Sequence, residues 1–563
     1  MDTHGREQIL EIYALNDVHG RFFNTPHYES GDRGSLANVC SFIKERRAVL
    51  GPGKVMLLDC GDNLQGDLAV CRSNRRLREG DSGHIYARAA EYMGYDAVVF
   101  GNHDFEAGHS VYDRLAGELE DAGIPLLGAN VLWKGKNGGC WQPYIILDKE
   151  GVRVAVIGMT NPCTARWIPQ DLREGIDFAP VLPLAGELAG KIRANGEADI
   201  IVLLLHSGAG EPDAFSKEAV PENQALAVAA RMEGVDIVFA GHDHRQMCCR
   251  VGRTLVLSGA PYAGTLQKVV VRLEMEGKKI VGKEMEGEIV QLEGIGADKG
   301  YLEHCRDEIR AVEEEIIRPV GNLEAMMDAR EALWGRCSYL DLQHSVMLEA
   351  SGAQVSFASP YMYDAVIPAG EVTGRDIFQM YSAENTLFKV RMTGKQIKDY
   401  LEYSYGMWLS GPGDGEHVLQ LCSTELGGKT YWWPENFTYN FDSAAGLVYE
   451  VDITREYGRR VRIDSLWNGE PFEPEGNYTV ALSSYRVSGG GGLFDHGAGI
   501  DPATALEGIT LGRYTFIRDL IVDFIRDGRR IDAVRCGHWE FVPKEKAAQG
   551  IDSDVRLLFG NLP

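Results

Sequence analysis

Residues 97–106 read AVVFGNHDFE: four apolar residues, a glycine, and then a run in which every side chain except that of Phe105 can bind a cation or move a proton. The same pattern recurs along the first half of the chain. Short apolar runs stand at Ile12 to Leu15, Val55 to Leu58, Ala97 to Phe100, Val154 to Ile157, Ile200 to Leu205 and Ile237 to Ala240. Each reads as a strand buried on both faces. Helical patterns such as Ile85 to Met93 and Val111 to Ala122 lie between several of them, the alternation expected of a layered α/β domain. The segment Leu266 to Leu273, LQKVVVRL, reads as another strand and closes that domain near residue 290.

Five of the six runs are followed at once by a polar cluster: Asn16-Asp17-Val18-His19, Gly61-Asp62-Asn63, Gly101 to Glu106, His206-Ser207-Gly208 and Gly241-His242-Asp243-His244. The clusters therefore gather on one edge, the crevice beyond the carboxyl ends of the strands where ligands of α/β sheets sit. A lone histidine beside a strand is usually an ordinary surface or core residue; five clusters in register point to a site. Asp oxygens, His nitrogens and an Asn carbonyl suit Mn, Zn, Fe or Co, and no cluster holds the thiols of a structural zinc. Two metals roughly 3.5 to 4 Å apart need one shared carboxylate and can then hold a bridging hydroxide for in-line attack on phosphorus. Asp62 is the natural bridge.

Composition narrows the partners. The 563 residues carry 57 Lys+Arg against 82 Asp+Glu, a net charge of −25 that disfavours nucleic-acid polymers and acidic membrane surfaces. With 44% hydrophobic and 25% charged residues the chain can bury a large core. The 11 cysteines are odd in number and form no CxxC pair, so reduced thiols are expected. The start lacks a basic segment followed by an apolar stretch, and no window nears the roughly 18 apolar residues that span a bilayer. A cytoplasmic address is expected, or an exported one if a signal peptide has been trimmed away.

From Leu302 the apolar positions Leu302, Cys305, Ile309, Val312 and Ile316 recur at helical spacing, and Pro319 and Gly321 end the pattern. One linker helix within 296–321 is expected between a first domain, 8–295, and a second, 322–563. The second mixes helix patterns (Gly374 to Tyr381, Gly394 to Tyr403) with strand patterns (Lys389 to Met392, Val448 to Ile453, Tyr478 to Leu482), an α+β domain. It holds two glycine-rich turns, Leu409 to Gly415 and Ser488 to Gly492.

In this order, D-x-H, G-D, G-N-H-D, H-S-G and G-H-x-H resemble the signature of the metallophosphoesterases. Together with N-H-D-F-E and a distant SSYRVSGGGG (residues 483–492), they resemble the group of 5′-nucleotidases and 2′,3′-cyclic-nucleotide 2′-phosphodiesterases over nearly the whole chain. The resemblance implies one metal held by Asp17, His19, Asp62 and His244, and a second by Asp62, Asn102, His206 and His242. It implies that His103 is no ligand but stabilises charge or protonates the leaving oxygen, oriented by Glu106, with Asp104 the rival partner. An imidazole in that role needs a carboxylate behind it to fix its tautomer and hold its proton.

Where 5′-nucleotidases carry N-G-G-x-R, this chain reads Phe357-Ala358-Ser359-Pro360-Tyr361-Met362-Tyr363-Asp364, without the arginine. SFASPY, Tyr439-Asn440-Phe441-Asp442 with the following GLVYEVDIT, and Tyr485-Arg486-Val487-Ser488-Gly489-Gly490 look like the cyclic-nucleotide phosphodiesterase branch. That branch implies two aromatics sandwiching the base, here Tyr439 and Tyr485, and an enzyme that opens 2′,3′-cyclic nucleotides and removes the remaining 3′-phosphate; a monomer is expected. The alternative is a 5′-nucleotidase or UDP-sugar hydrolase with the same metal site.

Overall fold

Strand Ile200–His206 shows why its sequence is apolar at successive positions. Ile200, Val202 and Leu204 enter one core while Ile201, Leu203 and Leu205 enter another, all of them buried. Strand Val152–Thr160 does the same, with Val152, Val154 and Val156 on one side and Ala155, Ile157 and Met159 on the other. A side-chain period of two, covered on both faces, turns alternation into a continuous apolar run.

The computed structural model describes residues 6–24, 34–134, 141–411, 417–426, 429–502, 505 and 508–560. The chain forms two compact units, Met1–Glu314 and Glu315–Pro563. The first contains two six-stranded sheets. One runs in the order 279–291, 265–276, 6–15, 55–59, 97–99, 126–127, and the other 247–251, 254–258, 237–240, 200–206, 152–160, 144–149. The sheets share an inner core to which Ile12, Met56, Leu58, Val99, Val202, Leu204 and Phe239 contribute. Helices Val181–Ala194 and Ala225–Arg231 cover the second sheet with Ala185, Ala189, Ile192 and Val228. On the first sheet, Tyr13 packs edge to face on Phe42 of helix Leu36–Leu50 at 5.7 Å. The layered α/β reading therefore holds, and Leu266 to Leu273 lies within strand Thr265–Glu276, hairpinned to Lys279–Gln291.

The central strands 6–15, 55–59, 97–99 and 126–127 are mutually parallel, as are 152–160, 200–206, 237–240 and 254–258. Parallel neighbours end together, which brings the polar clusters to one edge.

The linker pattern differs from the expectation of one helix. Two helices, Lys299–His304 and Arg306–Ile316, meet at Cys305, whose φ of −95° and ψ of 9° interrupt the regular turn. Asp298 caps the first by accepting from Tyr301 N–H at 2.7 Å. Pro319, read as a stop, instead begins strand Pro319–Leu323, which pairs with Gly370–Thr373.

The second unit is α+β. A five-stranded sheet runs 443–445, 355–358, 477–483, 386–393, 510–516, and a three-stranded one 461–466, 447–452, 538–542. The expected helices appear as Gly374–Met380 and Gly394–Trp408, both with capping boxes opened by threonine. Of the two glycine-rich turns, residues 412–415 of the first lie outside the described residues. Among the described residues no helix is long and apolar enough to cross a membrane.

Leu204 is fully buried between the sheets. Leu204→Ala should destabilise the first unit by about 2–5 kcal/mol in urea unfolding; a loss below about 1 kcal/mol would show that this core is not close-packed.

Candidate functional site

The loops at the sheet edge are stitched together through their backbones. Asp17 N–H donates to Gly61 O and His19 N–H to Asp62 O, each at 3.0 Å. The buried Asp104 carboxylate accepts four N–H groups: those of Asp62 (2.8 Å), Asn63 (2.7 Å), Leu64 (2.7 Å) and Gly101 (2.7 Å). One side chain thus fixes two loops. Asn16 donates to Asp17 Oδ2 at 2.6 Å and accepts from Gln267 at 2.8 Å, which sets the plane of the Asp17 carboxylate.

Strain concentrates here. Eight described non-glycine residues have positive φ, and five of them are Asp17, His19, Asp62, His242 and His244. Left-handed backbone at such residues costs of order 1–3 kcal/mol each and persists where the surroundings impose it, commonly at functional sites. Gly101 is required for space: a Cβ there would lie 2.2 Å from Asp62 Oδ1 and 2.5 Å from His206 Cε1.

The hydrogen bonds assign the free lone pairs. A backbone carbonyl only accepts, so His19 Nδ1, 3.0 Å from Gln65 O, and His206 Nδ1, 2.7 Å from Cys60 O, must each donate. In the neutral ring Nε2 is then an acceptor. His19 Nε2 faces His244 Nε2 at 3.1 Å, and His244 Nε2 stands 3.8 Å from Asp17 Oδ1. His206 Nε2 faces Asn102 Oδ1 and Asp62 Oδ2, both at 3.1 Å, and His242 Nδ1 faces Asn102 Oδ1 at 2.7 Å. Where these ring nitrogens are deprotonated, their lone pairs and the carboxylate and amide oxygens converge as a cation's ligands would. Two such groups form, Asp17/His19/His244 and Asp62/His206/His242, with Asn102 joining the second. The structure thus brings all seven expected ligand residues to the edge in two sets; a shared role for Asp62 remains an expectation.

Electrostatics follow from the same contacts. Burial alone would raise the Asp62 carboxyl, but the facing His206 and His103 hold it well below the usual carboxylate range. Burial and the neighbouring His244 push His19 down to about 4. Burial would also lower His206, yet Asp62 and Asp17 outweigh it and push His206 up to about 9.

His103 is a member of neither group, although its backbone N–H donates to Asp62 Oδ1 at 2.9 Å and its ring meets that of His19 edge to face at 5.5 Å. Its Nδ1 is 3.1 Å from Glu106 Oε1, an ion pair short of an aligned hydrogen bond, whereas both oxygens of Asp104 are committed to backbone N–H groups. Geometry therefore pairs His103 with Glu106. Burial opposes protonation of His103, but Glu106 and Asp62 overcome it and push the ring up to about 10.

In the second unit Tyr439 and Tyr485 are neighbours, but not as the parallel pair expected. Their ring centroids are 6.1 Å apart with planes at 80°, edge to face. Tyr439 instead stacks on Phe437 (5.0 Å, 8°), and a Cβ on Gly490 would meet the Tyr485 ring at 2.3 Å. A flat base fits between the two tyrosines only after one ring turns. Beneath them the buried Arg486 forms a two-pronged ion pair with Asp442 (2.9 and 2.8 Å), donates to Asn440 Oδ1 and Gly490 O (both 2.9 Å), and reaches Tyr439 O. Ser359 donates to Tyr439 O at 2.9 Å, and Thr438 to Pro360 O at 2.9 Å. The segments SFASPY, YNFD and SYRV are thereby one assembly around Arg486. Arg486, on the short helix Ser484–Val487, and Asp442, just before strand Ser443–Ala445, lie outside every strand pattern, so no local signal marked them for this role.

A two-sheet α/β unit with His, Asp and Asn acceptors converging at its carboxyl edge, followed by a separate α+β unit, is the architecture of two-domain nucleotidase-type phosphoesterases. The model of the 5′-nucleotidase C-terminal domain matches residues 319–497, and that of a bacterial capsule synthesis protein family matches 81–257. These matches make the chain similar to 5′-nucleotidases and related nucleotide phosphoesterases, hydrolytic enzymes acting on phosphate esters. It is 26% identical to the trifunctional nucleotide phosphoesterase protein YfkN of Bacillus subtilis, covering 95% of this chain but only 39% of that relative. To the 2′,3′-cyclic-nucleotide 2′-phosphodiesterase/3′-nucleotidase of Haemophilus influenzae it is 24% identical, covering 85% of this chain and 80% of the relative. The fold is shared with the crystal structure of a candidate 5′-nucleotidase from Staphylococcus aureus (TM-score 0.75, 20% identity, 95% of this chain and 100% of that one).

A cation entering the second group displaces the proton that Asp62 and Asp17 hold on His206. Because that ring's value is about 9, raised from its ordinary one, the proton is present at neutral pH and metal binding should tighten as pH rises toward 9. Calorimetric Mn²⁺ titration at pH 7.5 in buffers of different ionisation enthalpy should show proton release; binding without release would contradict this assignment.

Proposed function

We propose that the chain is a two-metal phosphohydrolase of nucleotides that opens 2′,3′-cyclic nucleotides and then removes the remaining 3′-phosphate. The observation that carries the reading is the double convergence of acceptors at the sheet edge. Asp17, His19, Asp62 and His244 would hold one cation, and Asp62, Asn102, His206 and His242 the other. When bound, two such ions, Mn, Zn, Fe or Co, neutralise phosphoryl oxygens and make water nucleophilic. In the first reaction the water oxygen joins phosphorus, the P–O2′ bond breaks, and O2′ takes a proton; in the second the P–O3′ bond breaks likewise. His103 holds the required proton on Nε2, because Glu106 occupies Nδ1 and stabilises the imidazolium.

The second unit supplies the base platform from Tyr439 and Tyr485, with stacking contributing roughly 1–3 kcal/mol and tolerating any base. Arg486 holds both tyrosine-bearing segments together, so a turn of one ring leaves its backbone in place. Supporting the cyclic branch are the absent N-G-G-x-R arginine, SFASPY and SYRVSGGGG, and the Haemophilus influenzae relative. Functional domains at 8–295 and 322–563 with a linker at 296–321, a monomeric state, single nucleotides rather than polymers or membranes as partners, and a cytoplasmic address belong to the same proposal. The last is supported by the ten described cysteines, all free thiols.

Rates on 2′,3′-cAMP, 3′-AMP, 5′-AMP and UDP-glucose with Mn²⁺ should rank 2′,3′-cAMP first in kcat/KM and 3′-AMP second. Preference for 5′-AMP or UDP-glucose would reassign the protein as a 5′-nucleotidase or UDP-sugar hydrolase.

A further inference from the structure

The loop leading into helix Ala225–Arg231 belongs to none of the polar clusters, yet it reaches the site. Glu222 Oε1 lies 2.9 Å from Nε2 of His242, whose other nitrogen, Nδ1, points at Asn102 Oδ1. A side chain that is 54% exposed, as Glu222 is, ordinarily forms an ion pair of little value. This one is held from behind. The Glu222 carbonyl accepts from Ser207 Oγ at 2.7 Å and Asn161 Nδ2 at 2.9 Å; Ser207 Oγ also accepts from Gln224 N–H at 3.2 Å, and Gln224 Nε2 donates to Pro221 O at 3.0 Å. Ser207 directly follows the candidate ligand His206, so the loop is clamped to the strand end that presents the second group. Trp167 lies flat on the His242 ring, with centroids 5.2 Å apart and planes at 12°.

We propose that Glu222 is a positioning residue for the second cation. Accepting from Nε2–H, it holds His242 in the tautomer that leaves the Nδ1 lone pair to the metal, while Trp167 fixes the plane of the ring. The proposal rests on the two-metal reading above. It also gives Ser207 of the H-S-G cluster a task, that of anchoring the loop that carries Glu222. Carboxylates behind a ligating histidine orient the ring and raise its basicity, and losing such a partner typically costs 10–100-fold in metal affinity.

The test uses the full chain stripped by chelation, with Mn²⁺ titrated calorimetrically into wild type, E222A and E222Q and stoichiometry checked by elemental analysis. Wild type should bind two Mn²⁺. E222A should keep its first-site affinity and weaken at the second by roughly 10–100-fold; E222Q, which keeps an acceptor but not the charge, should lose less. Long-range ¹H–¹⁵N correlation of the metal-free protein should show His242 protonated on Nε2 in wild type and a mixture of tautomers in E222A. Unchanged second-site affinity in E222A, or equal weakening of both sites, overturns the proposal. Should E222A show no cooperative melt, wild-type second-site affinity in E222Q overturns it instead. Fewer than two Mn²⁺ bound by wild type contradicts the two-metal reading itself, a failure distinct from that of Glu222.

Discussion

At the carboxyl edge of the first unit, imidazole lone pairs, carboxylate oxygens and an amide carbonyl point at one another. Such a cluster is repulsive and desolvated as it stands. Protons relieve it in part, in keeping with the raised value of His206, and the two divalent cations proposed above would relieve it further. Much of the surrounding structure serves to hold it in place: the Gln65 and Cys60 carbonyls that fix the rings of His19 and His206, Asn16 on Asp17, and five left-handed non-glycine residues.

The repulsion has to be resisted by something that does not itself join the cluster. Asp104 does so with four backbone N–H bonds, tying the Asp62 loop to the start of helix Asn102–Glu106, which Gly101 precedes. Burial and the nearby Asp62 push its carboxyl up to about 6, so the clamp carries part of the electrostatic load of the site. The same division appears in the second unit, where buried Arg486 organises the segments bearing Tyr439 and Tyr485. In both units a buried charge satisfied by backbone and side-chain partners positions residues of the candidate site.

Much of this was legible from sequence because two-sided burial writes itself as apolar runs and parallel strands end together. Ile200 to Leu205 followed by His206 is strand and candidate ligand in seven residues. The linker was less legible: helical spacing passed through Cys305 without a break, since periodicity records which face is buried and not where the backbone departs from helix. The partner of His103 was ambiguous by spacing, because Asp104 and Glu106 both flank it, and only hydrogen-bond geometry separates them. Glu222 and Trp167 gave no local signal at all, for they reach His242 through tertiary packing. The edge-to-face arrangement of Tyr439 and Tyr485 likewise depends on rotamers, which no spacing encodes.

The net charge of −25 disfavours polyanions, while two bound divalent cations would bring about +4 against about −2 from Asp17 and Asp62 and make the site locally positive. The proposed reactivity then depends on two ions binding where the acceptors converge. Anomalous diffraction from crystals grown with Mn²⁺ tests this most directly. Two peaks roughly 3.5–4 Å apart are predicted, one within reach of Asp17, His19 and His244, the other of Asn102, His206 and His242, with Asp62 shared between them. A single peak, or a pair that leaves Asp62 on one ion only, would contradict the account.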